Sequence, residues 1–69
     1  MQLDTIGKNI RKCLLMKRYR QEDLAEKTGL SVNYIRMVQR GDKVPSLETF
    51  INILNALDVS ADMVLADVL

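Results

Sequence analysis

The chain has 69 residues, a net charge of +1, 48% apolar residues and one cysteine. That length holds one small domain with a thin core, and a lone Cys13 forbids an internal disulfide, which fits a reducing compartment. No apolar run approaches a membrane span and the N-terminus lacks a secretory pattern, so the sequence reads as a soluble cytoplasmic protein.

The near-neutral total conceals an asymmetry. Residues 1–43 carry all ten Lys and Arg against five acids, a net +5, whereas residues 44–69 carry four acids and no base, a net −4. A basic half points to a polyanionic partner. Ordinary solvated charge, with acids placed near helix N-termini, is the plain alternative.

In chain order, Leu3, Ile6, Ile10, Cys13 and Leu14 recur at steps of three and four and predict a first helix over about 3–18. "QEDLAEKT" predicts a second, short helix with Glu22 and Asp23 in its first turn and Gly29 ending it. Ser31 suits the N-cap of a third helix, which Gly41 stops. Pro45-Ser46 opens a fourth, with Leu47, Phe50, Ile51, Leu54 and Leu57 on one face. Ser60 caps a fifth, and Val59 is placed to staple onto Val64. No strand pattern persists, so the fold class is all-α, five helices in one domain over residues 1–69. A start at Met1 argues against N-terminal truncation; continuation past Leu69 stays open.

The second and third helices are joined by only "GLS", the connection of a helix-turn-helix over about 21–40. Ala25 supplies a small side chain at the crossing, and Gly29 the turn. Leu24, Leu30, Ile35 and Val38 supply the shared core. The third helix then buries Ile35 and Val38. Its other face carries Val32, Asn33, Arg36, Met37 and Arg40, with Ser31 at its N-terminal tip.

These residues carry a family resemblance. "IGKNIRK", "QEDLAEKTGLS" and "YIRMVQRGDKVPSLETFINILNALDVS" together resemble the lambda-repressor-like helix-turn-helix domains, of Cro/C1 or XRE type, over nearly the whole chain. The resemblance implies a five-helix domain binding double-stranded operator DNA, usually as a homodimer on a two-fold-related site, with the third helix in the major groove. It implies that Gln21 holds a phosphate at the start of the second helix, and that Arg40 and Lys43 flank a loop docked on the backbone, with amides around Gly41 contributing. Asn33 is the candidate base reader, since an amide pairs with adenine through two bonds. Val32 can touch a thymine methyl, and Met37 can pack on base edges or belong to the core. Arg36 can reach guanine or phosphate, or pair with Asp42. Tyr34 faces backbone or sugar, or is a plain surface tyrosine. Ser46 reads as an N-cap. Arg18 and Arg20 add long-range attraction.

Relatives of this type often pair an arginine late in the first helix with a glutamate in the third. Leu14 and Gln39 stand at those positions, a joint replacement that strands no charge, and Leu14 is expected against the stem of Gln39. Asp58 stands where relatives often have glycine, which predicts a strained cap. Met63 stands where relatives often have an acid. Met63, Val64, Leu65, Val68 and Leu69 exceed what one short helix buries, which predicts a dimer interface around Met63, Leu65, Val68 and Leu69.

Without histidine and with one cysteine no zinc site is credible. No nucleophile has an imidazole partner, and no glycine-rich phosphate loop is present. The sequence therefore reads as a non-enzyme with no cofactor, no metal and no small-molecule substrate. Repression by blocking polymerase is the expected outcome, with activation through contact with polymerase as the alternative. A protein-interaction module of the same fold, of antitoxin or bridging-factor type, is the rival reading.

Overall fold

The computed structural model describes residues 1–69. Five helices follow one another: α1 Asp4–Lys17, α2 Gln21–Thr28, α3 Val32–Arg40, α4 Leu47–Leu57 and α5 Ala61–Leu65. There is no strand. α1 lies across α3 on one side and α5 on the other, while α2 packs between α3 and α4. The core is a single cluster: Ile6, Ile10, Cys13 and Leu14 from α1, Leu24 from α2, Ile35 and Val38 from α3, Ile53 and Leu57 from α4, and Val64 and Val68 from the C-terminal segment.

α1 meets α3 at closest range at Gly7. A β-carbon there would overlap the carbonyl oxygen of Val38 and lie 2.9 Å from Cα of Gln39. Only glycine lets the two backbones come this near. The small residue in the "IG" pair therefore fixes the depth at which α3 is seated.

The chain turns left-handed at the end of each of the first four helices, at Arg18, Gly29, Gly41 and Asp58. Glycine is at ease in that conformation, while the side chains of Arg18 (φ 59°) and Asp58 (φ 54°) are strained by it. Asp58 thus has the strained cap its sequence position implies. At the other ends, Ser31 Oγ accepts from Tyr34 N at 3.0 Å and Ser46 Oγ accepts from Thr49 N at 3.3 Å. Ser60 holds the N-cap position of α5 without a side-chain cap bond.

Two expectations about buried faces change. The inward stripe of α4 is Phe50, Ile53, Leu54 and Leu57, and Leu47 and Ile51 are 74% and 47% exposed. α4 is polar on the side of Glu48, Asn52 and Asn55 and carries a broad apolar arc opposite, wider than the core covers, so periodicity alone did not mark its buried part, which runs through Ile53. At the C-terminus, Val68 is 2% exposed and belongs to the core. It offers nothing to a second copy, which corrects its place in the expected interface; Met63, Leu65 and Leu69 do remain exposed.

Val68 is held in by hydrogen bonds that sequence reading missed. The buried Asn9 side chain donates through Nδ2 to the carbonyls of Val64 and Ala66, both at 2.8 Å, and Gln2 N donates to Val68 O at 2.6 Å. The C-terminal carbonyls of α5 would otherwise lack partners. The signal was an asparagine on the buried stripe of α1, beside Ile6, Ile10 and Cys13.

Replacing Asn9 by leucine is expected to lower stability by about 2–3 kcal/mol, because two carbonyls lose their donor; urea unfolding followed by circular dichroism measures it. Asp58→Gly should act in the opposite sense. Relief of the left-handed strain is worth about 0.5 kcal/mol, and the thermal midpoint rises by about 2–4 °C.

Candidate nucleic-acid interface

The turn between α2 and α3 is pinned from three directions. Gly29 N donates to Ala25 O at 2.9 Å and closes α2. The Thr28 hydroxyl donates to Leu24 O at 2.7 Å and accepts from Leu30 N at 3.2 Å. From α4, Asn52 Nδ2 donates to Thr28 O at 2.9 Å. No local pattern marks Asn52, whose partner lies 24 residues away. Ala25 and Leu30 are half-buried and pack on the core through the crossing.

With Ile35 and Val38 turned inward, α3 presents Asn33, Arg36 and Arg40 to solvent at steps of three and four. These three share one helical face. Val32 and Met37 flank it half-buried, and Ser31 is exposed at the tip with its oxygen engaged in the cap. Tyr34 is half-buried and its ring packs on the core, so it is an edge of the scaffold as much as a surface residue.

The end of α3 is more closed than expected. Gly41 N donates to Val38 O at 3.1 Å, and Asp42 N and Lys43 N donate to Met37 O at 2.9 and 3.3 Å. The backbone amides around Gly41 are therefore spent within the chain, and this loop offers a phosphate its side chains only. Lys43 is exposed. Arg40 Nε pairs with Asp42 at 3.0 Å, both side chains more than half exposed. Such a pair is worth about 0–1 kcal/mol, so a phosphate oxygen readily displaces the carboxylate. Asp42 is thus the partner of Arg40, and Arg36 goes elsewhere.

Arg36 reaches α2. Its Nε donates to Gln21 Oε1 at 3.0 Å, and Gln21 Nε2 donates to Gln39 Oε1 at 2.5 Å. Gln21 stands in the first turn of α2, where backbone N–H groups lack helical partners and the helix dipole is positive. Asp23 folds back there to accept from Arg20 N at 2.8 Å. Leu14 enters the core as expected, while Gln39 turns its amide toward Gln21. Lys27 sits over the Tyr19 ring at 5.2 Å, a cation–π contact that ties α2 to the preceding loop. Burial pushes the Cys13 thiol above its ordinary pKa, with Lys17 opposing, so the sulfur stays protonated in the core.

A scaffold that seats one helix against another through a short glycine turn, and leaves Asn33, Arg36 and Arg40 outward, matches a known family. The family model described as Helix-turn-helix matches residues 10–64. The chain belongs to this family, in its XRE type. It is 36% identical over 59 residues to the uncharacterised HTH-type transcriptional regulator YqaE of Bacillus subtilis, covering 86% of the chain and 51% of that protein. The chain thus spans about half the length of YqaE. It is 32% identical over 62 residues to a second such regulator of Bacillus subtilis, YazB, covering 90% of each. Among solved structures, the restriction-modification controller protein C.AhdI of Aeromonas hydrophila superposes with a TM-score of 0.84 at 31% identity, covering 90% of this chain and 94% of that one. The expected fold, an all-α five-helix domain with a helix-turn-helix, is the observed one. No helix is long and apolar enough to cross a membrane.

Proposed function

We propose that the chain is a sequence-specific DNA-binding transcriptional regulator that reads a two-fold symmetric operator as a homodimer and represses by occupying it. The observation that carries this reading is the outward face of α3, with Asn33, Arg36 and Arg40 aligned and α2 fixed behind it, in a chain whose relatives are named HTH-type transcriptional regulators. The concentration of positive charge in residues 1–43 supports it, since that charge attracts a polyanionic duplex.

Within this reading α3 enters the major groove. Asn33 reads a base edge, with Val32 and Met37 as apolar neighbours. Arg40 and Lys43 hold phosphates at the C-terminal end of α3, and Gln21 does so at the start of α2. A second copy docks on the exposed apolar residues of the acidic half: Met63, Leu65 and Leu69 near the C-terminus, and Leu47 and Ile51 one turn apart on α4. These are large side chains with no cover in the single chain, which a second copy would supply. The same exposed residues favour the second reading, in which the domain holds another protein rather than DNA.

Selection from a random duplex library at ~0.15 M salt, followed by sequencing, separates the two readings. The regulator enriches a motif with two-fold symmetry, and half-sites lie about one helical turn apart. No enrichment by a folded protein would sink the DNA reading. With the motif in hand, Asn33→Ala should lower discrimination at one base pair of each half-site by about 1–3 kcal/mol, whereas Lys43→Ala weakens all duplexes alike.

Light scattering tests the dimer. The parent chain should show twice the monomer mass, and Leu65→Asp with Leu69→Asp, or Leu47→Asp with Ile51→Asp, should return it to a monomer with its helical signal intact. A monomeric parent would remove the homodimer.

A further inference from the structure

The amides of Gln21 and Gln39 form a directional relay with Arg36, and the direction is dictated by Arg36. A guanidinium only donates. Arg36 Nε therefore needs an oxygen, and Gln21 turns Oε1 toward it at 3.0 Å. That choice sends Gln21 Nε2 the other way, where it needs an acceptor, and Gln39 turns Oε1 to it. Nothing then remains for Gln39 Nε2. It is the one buried side-chain nitrogen or oxygen without a hydrogen-bond partner in the protein. A stranded buried donor lowers stability. Reversing both amides would let Gln39 Nε2 donate to Gln21 Oε1, but it would strand Gln39 Oε1 in its place and set the Gln21 N–H groups against the Arg36 Nε–H, so the bond to Arg36 would be lost.

The backbone of Gln39 lies beneath Gly7, where α1 crosses α3. The relay thus runs from this close helix crossing to the surface. At its outer end it holds the Arg36 guanidinium beside the first turn of α2, together with the one Gln21 Nε2 hydrogen that Gln39 leaves unused.

We infer that Gln39 is a positioning residue that acts through Gln21 to hold Arg36 at the N-terminal end of α2, where Arg36 and Gln21 bind the DNA sugar–phosphate backbone as one unit. Arg36 then supplies affinity and register rather than sequence discrimination, which is left to Asn33. This rests on the DNA reading proposed above. It deepens that reading by assigning Arg36 to phosphate instead of guanine, and by giving the stranded Gln39 donor a reason to persist. The stranded nitrogen is what remains once Arg36 has its acceptor.

The test measures binding of the selected operator and of an unrelated duplex across a salt series, together with thermal midpoints. Arg36→Ala should weaken both duplexes alike, on the order of tenfold at ~0.15 M salt, and lower the salt slope by about 1. Gln39→Met removes the stranded donor and the acceptor of Gln21 together. Its thermal midpoint should equal or exceed that of the parent, while its binding weakens in the manner of Arg36→Ala. In an Arg36→Ala background the same substitution should add nothing. Gln39→Glu keeps an acceptor for Gln21 and should bind within about twofold of the parent.

Parent-like binding by Gln39→Met would overturn the inference. So would a loss of equal size with and without Arg36, or a loss in Arg36→Ala confined to duplexes carrying one particular base pair. A parent that binds no duplex at all would sink the DNA reading itself; a parent that binds while Gln39→Met is indifferent sinks this inference alone.

Discussion

The structure depends on the approach of α1 to α3 at Gly7. Because no side chain separates the two backbones, α3 lies deep enough for Ile35 and Val38 to enter the core beside Ile10, Cys13 and Leu14. Everything offered to the outside follows from that depth. With the inward pair fixed, the helical period leaves Asn33, Arg36 and Arg40 on the far side, and the end of the helix falls where Gly41 and Asp42 fold back over it. A single methyl group at position 7 would push α3 outward and change the height of every residue on its exposed face.

Around that contact the molecule divides its labour. The turn between α2 and α3 is held by Leu30 packing on the core and by directional bonds from Thr28 and Asn52. The exposed face has few internal obligations. Asn33 and Lys43 have no side-chain partner within the chain, and Arg40 has a weak, solvated one. Arg36 is the exception, since its position is set by two amides that lead into the interior. A rigid support behind a lightly committed surface suits recognition, because little order has to be created when a partner arrives.

Much of this was legible in the sequence where the signal was local. The five helices, the glycine between α2 and α3, the serine caps of α3 and α4, and the inward pair Ile35 and Val38 all follow from spacing and from the conformational needs of single residues. What stayed hidden depended on partners far along the chain. Asn9 reads as one more polar residue until the carbonyls of Val64 and Ala66 are set against it. Asn52 is silent until Thr28 is nearby. The buried part of α4 stayed hidden because its apolar arc is wider than the core covers, and Val68 because no pattern of a few residues reveals what covers it. In the candidate site the outward residues of α3 were legible as a face. The direction of the Gln21 and Gln39 amides was not, since it is decided by a third side chain on another turn of helix.

The bonds from Asn9 to the carbonyls of residues 64 and 66, and from Gln2 to that of residue 68, join the beginning of the domain to its end. During synthesis the first helix emerges with a polar group on the side meant for the interior, and the partners of that group are made 55 residues later and beyond. Until they clear the ribosome, α1 carries an unmatched amide in the middle of its apolar stripe. The domain therefore closes only when its C-terminal turn has been made, and a fragment that stops short of residue 64 lacks the acceptors of Asn9.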